Sequence, residues 1–316
     1  MLWGKSRLSH CVFSDGDRIA GIAQAATIKA PFINAGTALV FCGPLWRGSG
    51  KQRDAGILPD IAEALRVEYV ERRGMLLRVI PNELGDGKDR FFAAFQNAGF
   101  QWKGRFYKTY LLDISLPSAD LRKNLKQKWR NCLNHAEKEN LAIVDNTSLE
   151  FYDTFLEIFR EMQNRKQFSV TSIDPVQLTK IQESLPADMK PIVFLCMNTG
   201  KPLAGAVVSA IGDTAILLLA ASNSDGRKFM ASYVLQWKVI EWLQMRGFLA
   251  YDLGGTDPSH PWVNHFKAGL GGNAASHVGI FEQCSNPFSY LFDRSLGIMK
   301  NCKNHFKKIA DQLRLS

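Results

Sequence analysis

Common catalytic signatures are missing from this 316-residue sequence. It has no GxSxG turn for a serine nucleophile and no HExxH pair for zinc. The "GSGKQ" stretch at Gly48 lacks both the upstream glycine and the Ser/Thr of a phosphate-binding loop. These absences disfavour a serine hydrolase, a zinc hydrolase and a P-loop NTPase.

Cysteines and histidines are few and scattered. The six cysteines are never closer together than 18 residues, so the chain has no CxxC pair for metal binding or redox chemistry. The spacing of His260 and His265 does not place them on one helical face, and no acid completes a ligand set. We therefore expect reduced, mostly buried thiols and no metal site.

Long hydrophobic runs are also absent. The longest, "AILLLAA" from Ala215, is far shorter than the roughly 20 residues of a membrane span, and the first residues contain no signal-peptide core. We expect a cytoplasmic protein. Its net charge of +9 favours anionic partners such as phosphates, nucleic acid or a membrane surface. The basic C-terminal stretch "KNCKNHFKKIADQLRLS" is interpreted as a solvated helical face.

The patterns that are present predict a mixed α/β fold. Short apolar runs separated by turns predict strands within 18–42, at "MLLRVIP" and at "YKTYLLDISL", with helices from Ile57 and over "DRFFAAFQNAGF". Later, three apolar runs from "PIVFLCMN" to "TAILLLAAS" predict an antiparallel meander, and a long apolar helix ends at Gly247. The order strand, strand, helix, strand recurs loosely, which predicts two related domains at 1–112 and 113–316.

One amphipathic helix is predicted over "LRKNLKQKWRNCLNHAEKEN". Arg122, Lys126 and Arg130 recur at every fourth position, which predicts a cationic ridge on one face. Two interpretations stay open: a solvated helix surface, or a surface that binds phosphates. The apolar positions form a separate stripe: Leu121, Leu125, Trp129, Cys132 and Ala136.

The stretch "LAYDLGGTDPSHPWVNHFKAGLGG" holds the strongest site candidates. "FLAYDLGG" predicts a central strand whose polar end, Tyr251 and Asp252, reaches a turn at Gly254 and Gly255. Ligands bind at such strand ends in open α/β sheets. The alternative for Asp252 is a turn or helix cap.

A lysine follows within the same stretch. Lys267 comes after Phe266 and before three glycines, so its cation could approach a ligand and neutralise developing negative charge. The alternative is a solvated lysine in a hairpin.

In their order and spacing, "LRKNLKQKWRNCLNHAEKENLAIV", "REMQNRKQF", the meander, "YDLGGTDP" and "VNHFKAGLGG" resemble the Fem family of peptidoglycan interpeptide-bridge transferases. They are equally similar to its smaller FemAB-like relatives, acyltransferases of the GNAT superfamily. The resemblance covers about residues 113–285. Earlier in the chain, "FCGPLW" is similar to the Gly-Pro turn of the family's first half.

This resemblance implies two GNAT-like halves, each with a mixed sheet flanked by helices. It implies transfer of an acyl or aminoacyl group from acyl-CoA or aminoacyl-tRNA, with no bound cofactor. The acceptor is expected to be an amine or hydroxyl of a cell-envelope precursor, a lipid-linked peptidoglycan or a polysaccharide intermediate. Lys267 matches the family lysine near the substrate phosphate or reacting carbonyl, and Asp252 matches the acid at the strand end. Tyr251 is the third catalytic candidate.

Two departures leave the donor open: there is no long charged helical hairpin, and "SDGRKFMAS" lacks the RxxGxG/A loop of acetyl-CoA enzymes. Arg165 and Lys166, at a predicted helix end, either contact an anionic acceptor or simply complement the helix dipole. Further candidate partners are tRNA and the inner membrane surface. The alternative function is a non-catalytic module that binds RNA or anionic lipid. The substrate-binding candidates are Arg165, Lys166, Phe266, Gly254, Gly255, Arg122, Lys126 and Arg130.

Overall fold

The computed structural model describes residues 7–46, 55–85, 90–104, 108–166, 175–256 and 261–296. The described strands are β1 (Leu8–Asp15), β2 (Arg18–Lys29), β3 (Gly36–Phe41), β4 (Met75–Ile80), β5 (Gln101–Trp102), β6 (Lys108–Asp113), β7 (Ala142–Asn146), β8 (Ile192–Asn198), β9 (Lys201–Ile211), β10 (Thr214–Ser222), β11 (Ala250–Gly255), β12 (Asn273–Ser276) and β13 (Phe281–Gln283).

The described α-helices are α1 (Leu58–Leu65), α2 (Arg90–Asn97), α3 (Ser118–Asn124), α4 (Gln127–Ala136), α5 (Leu149–Lys166), α6 (Pro175–Ser184), α7 (Ser224–Lys228), α8 (Ala231–Met245) and α9 (Pro261–Gly269). A π-helical stretch, Arg66–Arg72, continues α1, and residues 287–296 are also helical. The "GSGKQ" stretch, His260 and the basic C-terminal stretch lie outside the described residues.

Two compact units divide the chain. One is Lys108–Ala275, and the other joins Trp3–Tyr107 with Ser276–Ser316. These limits differ from the predicted division between residues 112 and 113. The difference arises because β6 pairs with β11, whereas β13 pairs with β4.

The discontinuous unit contains a six-stranded sheet in the order β1-β2-β3-β4-β13-β5. β3 and β4 are parallel, and the other neighbouring strands are antiparallel. Buried residues of α1 and α2 pack against the central strands. Phe281 of β13 is fully buried, and its ring lies 5.9, 5.5 and 5.2 Å from those of Phe91, Phe92 and Phe95. A strand from late in the sequence therefore completes this core.

The continuous unit contains a seven-stranded sheet in the order β12-β6-β11-β10-β9-β8-β7. The predicted meander is confirmed as the antiparallel strands β8, β9 and β10, and β11 runs parallel to β10. Alternate residues of β8 join separate cores, one with α5 and one with α4 and α8. Helices therefore cover both faces of the sheet. The expected fold class, mixed sheets flanked by helices, is confirmed.

The single long helix predicted over "LRKNLKQKWRNCLNHAEKEN" is wrong. α3 ends at Asn124 and α4 begins at Gln127, because Leu125 and Lys126 have extended backbone with ψ of 135° and 144°. The backbone N–H of Lys126 donates to the carbonyl of Gly269 at 2.9 Å, in place of a helical acceptor. A tertiary contact therefore replaces the helical turn that the periodicity predicted.

Candidate active site

The end of β11 brings an acid and a buried hydroxyl together. Oδ1 of Asp252 accepts hydrogen bonds from the Thr109 hydroxyl and, at 2.7 Å, from the backbone N–H of Gly254. Thr109 is fully buried on β6, where it pairs with Gly255. These bonds hold the carboxylate in one orientation at the strand end. No sequence motif marked Thr109; only its place among the apolar residues of "YKTYLL" indicated an inward-facing hydroxyl.

Lys267 reaches the same strand end from α9, so the hairpin that sequence reasoning left open for it is not formed. Its Nζ donates to the carbonyls of Gly254 and Gly255 at 3.0 and 2.8 Å. Burial lowers the pKa of Lys267 to about 8, and the negative charge of Asp252 opposes that shift. An ammonium carries three N–H donors. Among the described residues only two acceptors are present, so one donor remains for a ligand.

The two glycines of "YDLGG" shape this arrangement. Gly254 has φ 78°, in the left-handed region where a side chain would be strained. The turn made there gives Lys267 two successive carbonyls. The predicted role of Gly254 and Gly255 in substrate binding stays a prediction, and their observed role is to position the lysine.

Tyr251 does not join the site. Successive residues of a strand point to opposite faces, so Tyr251 lies on the face away from Asp252. It is fully buried, and its hydroxyl donates to Oε1 of the buried Gln236 on α8 at 3.0 Å. Burial also raises the pKa of Tyr251, which disfavours its phenolate. This position contradicts the predicted catalytic role and makes Tyr251 a core residue.

Phe266 anchors α9 instead of facing solvent. Its ring lies 5.6 Å from that of Trp129 and 5.1 Å from that of Tyr233, which are themselves 5.0 Å apart. Gly269 lies against the same cluster, since a Cβ there would be 2.9 Å from Cδ1 of Trp129. The aromatic cluster thus fixes α9 against α4 and α8. The structure gives Phe266 a packing role, and its predicted contact with substrate stays a prediction.

Arg165 and Lys166 end α5, as predicted, and have different surroundings. Arg165 donates to the Ser222 carbonyl at 2.9 Å and to the Ser224 hydroxyl at 3.2 Å. Lys166 lies with its Nζ 5.7 Å from the ring centroid of Trp262, in the first turn of α9. Burial lowers the pKa of Lys166, and the positive charges of Arg165 and Arg227 lower it further.

Lys166 therefore approaches the helix that carries Lys267. Trp262 lies five residues before Lys267, about 7.5 Å along the helix axis at 1.5 Å per residue. Sequence reasoning missed Trp262. A large aromatic side chain in a polar, proline-rich loop was the signal that could have identified it.

The predicted ridge of Arg122, Lys126 and Arg130 is wrong as a surface of one helix. Arg122 donates to Glu137 at 2.8 Å and to Asn134 at 2.7 Å. Arg130 donates to the carbonyls of Lys123 and Leu125 at 2.7 and 3.0 Å. Both arginines thus join α3 to α4, whereas Lys126 is exposed. An open depression of about 290 Å³ is lined by Ala119, Arg122, Lys123, Arg130 and Asn134.

No group of three or more His, Cys, Asp or Glu side chains in the described residues could hold a metal ion. The described helices also include none that is long and apolar enough to cross a bilayer.

Comparison with known proteins tests the family resemblance independently. Residues 195–296 match the model of the FemAB family, and this segment includes β11 and α9. No curated protein sequence matches the chain. Among solved structures the chain is similar to FemX, with a TM-score of 0.75 and 16% identity over 90% of each chain.

Two further structures share this fold. One is the C-terminal domain (DUF2156) of a putative lysylphosphatidylglycerol synthetase from Agrobacterium fabrum, with a TM-score of 0.57 and 12% identity over 92% of this chain and 88% of that one. The other is L-PGS from Bacillus licheniformis, with a TM-score of 0.55 and 14% identity over 84% and 82%. At these identities the structural likeness establishes the fold alone. With the family match, the resemblance predicted from the sequence is confirmed: the chain is FemAB-like, and an enzyme of the acyltransferase class.

Proposed function

We propose that this protein moves an acyl or aminoacyl group from an activated carrier, acyl-CoA or aminoacyl-tRNA, to an amine or hydroxyl of a cell-envelope precursor. The acceptor is a peptidoglycan or polysaccharide intermediate, and the reaction takes place in the cytoplasm. The observation that carries the proposal is the Lys267 ammonium, held by two carbonyls beside Asp252 within the segment that matches the FemAB family.

The chemistry requires little beyond what these residues provide. The acceptor amine or hydroxyl attacks the carbonyl carbon of the ester or thioester, and the bond to the carrier's oxygen or sulfur breaks. An activated carrier needs no metal and no covalent enzyme intermediate. The protein has to orient both substrates, remove a proton from the acceptor and stabilise the oxyanion.

Lys267 is suited to the oxyanion. The side chain is partly buried, and there a charged donor interacts more strongly than in water. The same donor could instead contact a phosphate of the carrier. In both roles the lysine side chain acts in its protonated form.

Asp252 is suited to the acceptor's proton. Its Oδ1 is occupied by Thr109 and Gly254, whereas Oδ2 has no hydrogen-bond donor among the described residues. We assign Oδ2 as the proton acceptor when the incoming amine or hydroxyl attacks. Lys166 adds positive charge near α9, and we assign it to an anionic group of the acceptor. Arg165, which donates to Ser222 and Ser224, is assigned to holding the end of α5 in place.

The test offers the two carriers separately. Purified protein is incubated with labelled acetyl-CoA or with a pool of labelled aminoacyl-tRNAs, in each case with a lipid-linked peptidoglycan precursor. Transfer is followed by mass spectrometry of the acceptor. We expect transfer from one carrier, its loss in Lys267→Met, and its retention in Lys138→Met, which removes an exposed lysine from the same unit.

Two results would count against the proposal. Undiminished transfer by a folded Lys267→Met protein would overturn the role assigned to the lysine. The other is binding of tRNA or anionic lipid without transfer from either carrier, which would establish the non-catalytic binding module instead.

A further inference from the structure

The turn between β2 and β3 exposes two large apolar side chains. Phe32 is fully exposed, and 53% of Ile33 is accessible to solvent. Phe32 also has φ 65°, a left-handed conformation that bulky residues rarely adopt. Since its ring is outside the core, packing within this unit does not account for a phenylalanine at a position that favours glycine or asparagine.

A second segment of the same unit exposes apolar side chains. In the helix at residues 287–296, Phe288 is 64% exposed, Leu291 is 62% exposed, and Tyr290 is also exposed. We call the surface formed by Phe32, Ile33, Phe288, Tyr290 and Leu291 the apolar edge.

Hydrogen bonds hold the two segments of the apolar edge side by side. Nδ2 of Asn286 donates to the carbonyl of Asn34 at 2.8 Å. The Ser289 hydroxyl accepts from the N–H of Gly36 at 2.9 Å and donates to the carbonyl of Gly74 at 2.5 Å. Ser289 is fully buried. The apolar edge is thus a fixed feature of the folded unit.

Positive charge surrounds this surface. Arg7 and Lys29 line an open depression of about 280 Å³ beside the turn, and Arg294 lies 5.9 Å from the ring of Tyr290. Within the described part of the chain, no carboxylate pairs with these three cations. The acid of the same helix, Asp293, is neutralised by Arg78 at 3.0 Å.

The opposite end of β2 carries acidic side chains instead of an apolar surface with cations. This strand has 12 residues, so its two ends are about 36 Å apart at about 3.3 Å per residue. The far turn carries two exposed acids, Asp15 and Asp17, beside Arg18. Charge therefore favours an approach to an anionic surface by the end that carries the apolar edge.

We propose that the apolar edge docks on an anionic lipid bilayer. Phe32 and Ile33 would enter the interfacial region, and Arg7, Lys29 and Arg294 would lie among the acidic headgroups. Burial of apolar surface and attraction of the cations both favour this contact. The cations without carboxylate partners distinguish it from a purely apolar contact with another protein. The proposal goes beyond the transfer reaction, because vesicle binding is measured without carrier or acceptor.

Co-sedimentation with vesicles tests the proposal. We compare vesicles that hold about 30 mol% phosphatidylglycerol in phosphatidylcholine with vesicles of phosphatidylcholine alone. The double variant Phe32→Asn/Ile33→Ser removes the apolar tip, and asparagine tolerates the left-handed backbone, so folding is preserved. The matched control is Ile19→Ser, which removes an apolar side chain that is 66% exposed near the far end of β2.

We expect the wild-type protein to bind the anionic vesicles, with weaker binding at higher salt. The double variant should bind about tenfold more weakly or worse, and Ile19→Ser should bind like the wild type. Lys29→Gln should weaken binding about fivefold, as expected for one cation near an anionic surface.

Either of two results would overturn the docking proposal. The first is an absence of binding, or equal binding by the wild type and the double variant. The second is a dimer in sedimentation velocity that the double variant abolishes, with no vesicle binding, since a second copy would then cover the apolar edge. Thermal melting confirms that each variant is folded.

Discussion

Two groups of cations in the continuous unit, the arginines at the α3–α4 junction and Lys267 at the end of β11, were both site candidates in the sequence and differ in structure. At the α3–α4 junction, Arg122 and Arg130 donate to Glu137, Asn134 and backbone carbonyls. At the end of β11, Lys267 donates to two carbonyls, and its third N–H meets no acceptor among the residues that the structure describes. The acceptors around a cation, more than its place in a pattern, therefore decide whether it joins helices or is available to a ligand.

The pKa values separate the two groups in the same way. A hydrogen bond to Glu137 raises the pKa of Arg122, and the reciprocal bond lowers the pKa of Glu137, so folding favours both charges. Burial lowers the pKa of Lys267, so folding disfavours its charge. A buried cation that reduces stability is a common feature of functional sites, where groups are held ready for a substrate.

The rate of transfer should distinguish the two groups most clearly when their residues are substituted. Lys267→Met should lower kcat by about 10²-fold or more, because loss of one electrostatic donor in the transition state costs roughly 3 kcal/mol. Arg130→Met should leave kcat unchanged and lower the melting temperature. Steady-state kinetics and thermal melting of both variants measure this contrast. Equal losses of kcat in the two variants would show that Lys267 has no larger role in transfer than Arg130.

The pH dependence of transfer should follow Lys267. The ammonium form is the active one, and its pKa is about 8, so kcat should be nearly constant up to about pH 7, fall to about half at the pKa and decrease further above it. One unit above that pKa, the rate should be about tenfold lower. Rates at saturating substrate between pH 6 and about 10 test this. A rate that stays constant across pH 8 would argue against a charged lysine in the reaction.

Stability should also change with pH, and with a defined sign. The pKa of Lys267 is lowered from 10.5 to about 8 on folding, so between these values the unfolded chain binds more protons. Stability should therefore rise with pH across this window, by roughly 2 kcal/mol after allowance for partial solvent exposure. Urea unfolding at both ends of the window measures the rise. The same comparison in Lys267→Met should lack this component, and a rise of the same size in that variant would assign it to other groups.

The smallest effect is expected at the α3–α4 junction. The side chains of Arg122 and Glu137 are 34% and 33% exposed, so solvent screens their interaction. A double-mutant cycle with Arg122→Met and Glu137→Gln should give a coupling energy below about 1 kcal/mol. The transfer rate should not change. A coupling above about 3 kcal/mol, or a reduced rate, would show that this junction and the strand end do not differ as described.

Features set by local pattern were predictable from the sequence. The apolar runs of β8, β9 and β10 indicated the meander, because short turns between such runs allow antiparallel pairing. The acid and the lysine of the site were found from the strand-end pattern and the family resemblance. Asp252 and Lys267 do lie together, although the lysine is on a helix.

Features set by distant contacts were not predictable. The break at Leu125 and Lys126 depends on the carbonyl of Gly269, far along the chain, and helical periodicity carries no trace of it. Thr109 became part of the site only through the pairing of β6 with β11. Tyr251 and Asp252 were adjacent polar residues in the sequence, and strand alternation placed them on opposite faces.

The position of β13 determines the order in which the chain can mature during translation. Lys108–Ala275 is continuous, so the ribosome has synthesised this unit in full before Phe281 is added. The other unit begins to emerge first, yet its sheet stays open until β13 can pair with β4. Until then one edge of β4 and the rings around Phe91 lack their partner, and an open strand edge promotes aggregation. The unit whose synthesis begins first therefore completes its sheet last, after the other unit has been synthesised in full.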